Sequence, residues 1–189
     1  MFERRIPQCL LALCLAAPLA HAEVKIPDRL QNVDKVTFCG GMDSPPMGFY
    51  DASQKLTGVT IDLGEAIAKR LGDKRIDWRI TPFSGLIPAL LAGQCDMLVD
   101  QLFDKPERRE VIDMVNYMYS SQAVVVAKGN PEGIRTLDDL SGKKVAVLNG
   151  STIRTLLDAH NEKLAKAGKP PMKVVVYNTD TDAFQSLRI

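Results

Sequence analysis

Short apolar runs alternate along this chain with segments whose apolar residues recur every three to four positions, and this alternation restricts the fold more than any other feature. Val36 to Cys39, Ile76 to Ile80, Asp96 to Val99, Val145 to Leu148 and Val174 to Tyr177 read as strands. Between the first two, Asp62 is placed to cap a helix that shows Ile61, Leu63, Ala66, Ile67 and Leu71 on one face and stops at Gly72. Ser84 is placed to cap the next helix, with Leu86, Ile87, Leu90 and Leu91 inward and Gly93 at its end. Pro106 suits the first turn of a short helix to Val111. A longer helix follows the tight turn Asn149-Gly150-Ser151 and ends near Ala167, before Gly168 and Pro170-Pro171. The last helix opens at Asp180 or Thr181. Strands this short, separated by amphipathic helices, predict parallel sheets with helices packed on them, an α/β fold.

The segment from Gly40 to Gly58 is rich in turn residues, and Ala123 to Ala127 reads as one more strand. A changeover falls near Ser120, which divides the chain into a first α/β lobe over 23–120 and a crossover with part of a second lobe over 121–189. The final helix has no strand after it to complete a layer, so a fragment of a longer protein is expected.

Residues 1–22 belong to a different kind of segment. Arg4 and Arg5 precede the apolar run Cys9 to Ala17, Pro18 breaks it, and Ala20-His21-Ala22 is a small-x-small cleavage site. That order predicts a cleavable signal peptide and a mature chain beginning at Glu23 in the periplasm. Cys14 lies inside the run and follows Leu13, which argues against lipidation there. With 24 Lys+Arg against 23 Asp+Glu, the charge balance removes the electrostatic case for nucleic-acid binding. After cleavage two cysteines remain, Cys39 at the end of one strand and Cys95 before another. On parallel neighbouring strands they fall toward opposite ends of the sheet, so two buried free thiols are expected. Paired metal-ligand spacing is absent, and no cofactor or metal is expected.

Phe83-Ser84-Gly85-Leu86-Ile87-Pro88-Ala89-Leu90, then Gly93-Gln94-Cys95-Asp96, then Lys105-Pro106-Glu107-Arg108-Arg109 resemble the signature of solute-binding proteins that serve polar-amino-acid ABC transporters. Leu63 to Gly72 and Leu137 to Thr152 are similar to that family's first helix and to the segment opening its second lobe. The resemblance implies the two-lobed, type II periplasmic-binding-protein-like fold, with the second lobe truncated and a ligand clamped between lobes. It implies non-enzymatic capture of a small polar solute, an amino acid or related amine, by a monomer that delivers it to a membrane permease. The alternatives are a periplasmic dehydratase of cyclohexadienyl amino acids on the same fold, or the ligand-sensing module of a longer receptor or lytic enzyme.

By the same resemblance, Arg108 pairs with a ligand α-carboxylate, Phe83 stacks on the ligand, and Ser151 and Thr152 supply hydroxyls beside a helix amino terminus. Read from the residues alone, Arg108 is rather a surface arginine in a charge run, while Phe83 can be a core aromatic and Ser151 a helix cap. Asp100 and Phe103 depart from the family, which has small hydroxylic residues at those positions. They put a charge and a bulky ring into the site, with Asp100 able to neutralise Arg108 or to bind a cationic ligand group. Asp43 and Asp104 are expected to be solvated loop carboxylates, and His160 to be structural.

Overall fold

The computed structural model describes residues 25–189; the expected signal peptide and its cleavage site lie outside the described residues. A four-residue helix, α1 (Asp28–Gln31), precedes the central strand β1 (Lys35–Gly40). β1 pairs in parallel with β4 (Arg75–Ile80) on one side and β5 (Met97–Leu98) on the other. Between β1 and β4 lie a two-residue-stranded hairpin, β2 (Phe49–Tyr50) with β3 (Leu56–Thr57), and helix α2 (Val59–Arg70). After β4, a 3-10 turn at Phe83–Gly85 runs into α3 (Leu86–Leu91), and α4 (Pro106–Arg109) follows β5.

β1 is central because both of its faces are apolar. Val36 and Phe38 are fully buried against Leu30, Ala68, Leu71 and Val99, on the side covered by α2. Cys39 points to the opposite face, as alternation along a strand demands, and packs with Leu86 and Ala89 of α3. Phe38 meets Trp78 of β4 edge to face, ring centroids 5.4 Å apart. Gly64 of α2 lets the helix sit directly on that indole, since a Cβ there would lie 2.5 Å from the Trp78 ring.

The cysteines are bonded, not free. Cys39 and Cys95 form a disulfide with Cα atoms 5.7 Å apart, which corrects the reading of two thiols at opposite ends of the sheet. In the β1–β5 register Cys39 stands opposite Leu98. A residue three positions earlier on a straight strand would be about 10 Å away. However, β5 starts only at Met97, and Cys95 belongs to the turn that brings the chain off α3 over the sheet face where Cys39 points.

The second unit is smaller. A 3-10 turn at Leu137–Leu140, held by a reciprocal Thr136–Asp139 capping box, leads into β6 (Lys144–Leu148). Helix α5 (Thr152–Lys166) crosses to β7 (Lys173–Tyr177), which pairs in parallel with β6 along its whole length. Leu140, Val147, Leu157, Leu164 and Met172 form its core, and Asn161 ties α5 to β7 by bonding both backbone groups of Met172. Helix α6 (Asp180–Arg188) ends the described chain.

Several boundaries differ from the sequence expectation. α2 begins at Val59 after Gly58, so Asp62 sits inside its first turn and caps nothing. Ser84 lies within the 3-10 turn, and Gly85 precedes α3. Thr179, not Asp180 or Thr181, caps α6 by accepting from the Asp182 amide. Residues 123–127 form no strand: Val124 and Val125 are exposed, and no neighbouring strand supplies a hydrogen-bond ladder.

Candidate ligand cleft

In the order β4-β1-β5 the chain leaves β1 in one direction and returns on its other side. Parallel sheets open a crevice at such a point, beyond the carboxyl ends of the strands. Gly40-Gly41 end β1, Phe83 follows β4, and Asp100 follows β5, so the three strand ends deliver these residues to one rim.

Phe83 is half-buried, and the Arg108 guanidinium carbon lies 5.8 Å from its ring centroid, within cation–π range. Pro106 starts α4 and Arg108 occupies its last turn. Arg108 Nη1 donates to the Phe103 carbonyl at 2.8 Å, and Nη2 reaches the Gly150 carbonyl of the second lobe at 3.3 Å. A guanidinium carries five N–H donors, so the fork keeps capacity for a planar anion. Burial lowers the Arg108 pKa, and the Glu107 charge opposes that shift. A guanidinium nevertheless stays protonated in water.

Gly150 is one point where the second lobe touches the first. Its φ of +75° suits glycine, and a Cβ on it would stand 3.1 Å from Ser84 Cα. The next two residues begin α5. Ser151 precedes the helix without making a side-chain cap, and its Oγ is shut off from solvent with no hydrogen-bond partner among the described residues. Thr152 Oγ1 accepts from Gln122 Nε2 at 2.9 Å. Gln122 carried no signal in the sequence, because its partner lies 30 residues away.

Asp100 does not meet Arg108; among the described residues the two form no ion pair. Its carboxylate turns back to the β1 end, accepting from the Gly41 amide at 2.5 Å and the Gln101 amide at 2.6 Å. Burial nevertheless raises its pKa; the two amides oppose that shift, and the Asp43 and Asp180 charges add to it. Tyr117 Oη donates to the Asp100 carbonyl at 3.0 Å, and burial, then the Asp100 charge, raises the phenol's pKa.

Phe103 contributes its carbonyl to Arg108, while its ring is exposed. Asp104 is engaged by Arg109 and Asn116. Asp43 is no solvated loop residue: it accepts from the Asp180 amide of α6 at 2.9 Å, across the cleft. His160 Nε2 lies 2.9 Å from Asp138 Oδ1, near enough for attraction when protonated although the angle makes no hydrogen bond, and meets none of the cleft residues.

Phe83, Arg108, Gly150 and Ser151 thus gather on one side, and Asp43, Asp100 and Asp180 on the other. A Cβ on Gly41 would lie 3.3 Å from an Asp100 oxygen and 3.6 Å from an Asp43 oxygen, so those two carboxylates flank one glycine. The first group suits an anion: a fork, an unpartnered hydroxyl and the amino terminus of a 15-residue helix. The second suits a cation. Among the described residues no three His, Cys, Asp or Glu side chains are arranged to hold a metal ion, and no helix is long and apolar enough to cross a membrane.

The model for bacterial extracellular solute-binding proteins, family 3, matches residues 36–184. The probable amino-acid-binding protein YxeM of Bacillus subtilis (strain 168) is 38% identical over 103 residues, 54% of this chain and 38% of that one. The structure of an ancestral arginine-binding protein bound to arginine superposes with a TM-score of 0.72 at 37% identity, covering 82% of this chain and 66% of that one. An ancestral amino acid-binding protein described as a precursor of cyclohexadienyl dehydratase gives the same TM-score of 0.72 at 30% identity, covering 85% of this chain and 68% of that one. The chain spans about half the length of the curated relatives it matches, from 38% of the Bacillus subtilis protein to 63% of a glutamate/aspartate import solute-binding protein of Salmonella typhimurium. Its two α/β units have the two-lobed type II architecture of these structures. With the family model covering most of its length, the chain belongs to the bacterial extracellular solute-binding proteins of family 3.

Proposed function

We propose that the chain captures an amino acid with a cationic side chain in the cleft and, in the periplasm, presents it to the permease of an ABC transporter as a monomer. The lobes divide near Ser120. The single observation that carries this reading is Arg108, which lies by Phe83 and spans to the Gly150 carbonyl, beside the unpartnered Ser151 hydroxyl. A planar α-carboxylate matches the free donors of that fork, which a lysine would meet only as a point charge. The carboxylates of Asp43, Asp100 and Asp180 favour a positive group at the other end of the ligand. Relatives named for arginine support this choice of class.

Calorimetric titration with L-arginine, L-glutamine and L-glutamate tests it, and L-arginine is expected to bind best. Arg108→Lys should weaken every amino acid by about tenfold or more, the usual consequence of losing one member of a charged pair. Phe83→Ala should change the ranking among side chains. Failure of all three to bind, or unchanged affinity in Arg108→Lys, overturns the reading. Capture without conversion is expected, so incubation with prephenate or arogenate should yield no product. Product that vanishes in Asp100→Asn would instead make the chain an enzyme.

A further inference from the structure

We propose that Asp43 is an interlobe latch: from the loop after β1 it caps the amino terminus of α6 in the opposite lobe and so holds the cleft closed. The inference rests on the reading of the cleft as a site that closes on its ligand. An α-helix leaves its first amides without intrahelical partners. In α6 the Asp182 amide bonds the Thr179 hydroxyl and the Ala183 amide bonds the Thr179 carbonyl. The Asp180 amide finds no acceptor on its own lobe and donates to Asp43 Oδ2 at 2.9 Å, 137 residues away in sequence. Burial raises the Asp180 pKa and the Asp43 charge adds to that shift, while Ser44, the next residue of the same loop, opposes it. One side chain of the first lobe therefore holds the first amide of a helix in the second.

The charges act in both directions. An Asp43 carboxylate at a helix amino terminus is favoured by the helix dipole. It also faces Asp180 and Asp100, whose charges oppose it. The described contacts bring no cation to this trio, so the latch holds by its hydrogen bond against that repulsion. A second polar cross-lobe contact of the cleft, Arg108 to the Gly150 carbonyl, is longer at 3.3 Å.

The test uses the 189-residue chain with Cys9 and Cys14 replaced by serine, the native disulfide intact and nitroxide labels at Lys69→Cys on α2 and Lys163→Cys on α5, both exposed positions. Without added amino acid, Asp43→Ala should shift the interlobe distance distribution to longer values. It should speed exchange of the Asp180 amide at least tenfold, with the Val36 and Val147 amides unchanged. Asp43→Asn keeps an acceptor of the same shape and should retain most of the short-distance population. Wild-type distances and exchange in Asp43→Ala overturn the latch, as does equal loss of protection at Val147, which would mean general loosening. Saturating L-arginine should restore the short distance in Asp43→Ala. If no amino acid binds the wild type, the ligand reading fails while the ligand-free measurements still decide the latch.

Discussion

At the scale of single residues, Asp100 carries the clearest titration. Burial raises its pKa above the ordinary 3.8, so the native chain binds this proton more tightly than the unfolded chain does. The group contributes nothing unfavourable below the ordinary value; as pH rises through the raised one, stability is lost and then stays level. Asp100→Asn removes that dependence. Urea unfolding of both proteins at about pH 3.5 and pH 7 should therefore show the difference moving in favour of the variant at the higher pH. A pH-independent difference would refute the raised pKa. The run that carries Arg108 and Phe83 was legible in the sequence, and the two side chains lie together at the rim. The orientation of Asp100 was not, since backbone amides from Gly41 and Gln101 decide where it points. Asp43 was illegible for a different reason: its partner is on the other lobe, and no local pattern marks it.

At the scale of elements, the alternation of strand and helix was readable because each helix has a long apolar face and each strand a dense apolar run. The β2–β3 hairpin was not, because strands of two residues carry no periodicity. Residues 123–127 had strand composition without a neighbour to pair with, and propensity does not supply one. The disulfide was missed by treating Cys95 as part of a straight strand. It ties the end of β1 to the turn before β5, where only two register pairs join the strands. Closing a loop over a separation of 56 residues is worth about 4 kcal/mol in the chain-entropy account. Replacing both cysteines by alanine should lower the unfolding free energy by a comparable amount, read from urea midpoints at constant slope. A loss below about 1 kcal/mol would mean the packing of Leu86 and Ala89 holds the segment unaided.

At the scale of the whole molecule, the approach of the lobes depends on a missing side chain. Gly150→Val should push the Ser84 and Gly150 segments apart and weaken L-arginine binding by about tenfold, measured by calorimetry. A control separates backbone strain from steric blockade: Gly142 has a similar φ of +74° but its Cβ would meet only Pro170 at 3.6 Å. Gly142→Ala should therefore lose about 1 kcal/mol of stability and keep its affinity. Equal affinity losses in the two variants would remove Gly150 from the account of closure. The Cys39–Cys95 bond has one more consequence, for the life history of the chain. In a reducing compartment the crosslink does not form and the first lobe stays easier to unravel, which, on the periplasmic destination proposed above, suits a chain threading a translocation pore. Oxidation on the far side then acts as a ratchet, making the journey hard to reverse.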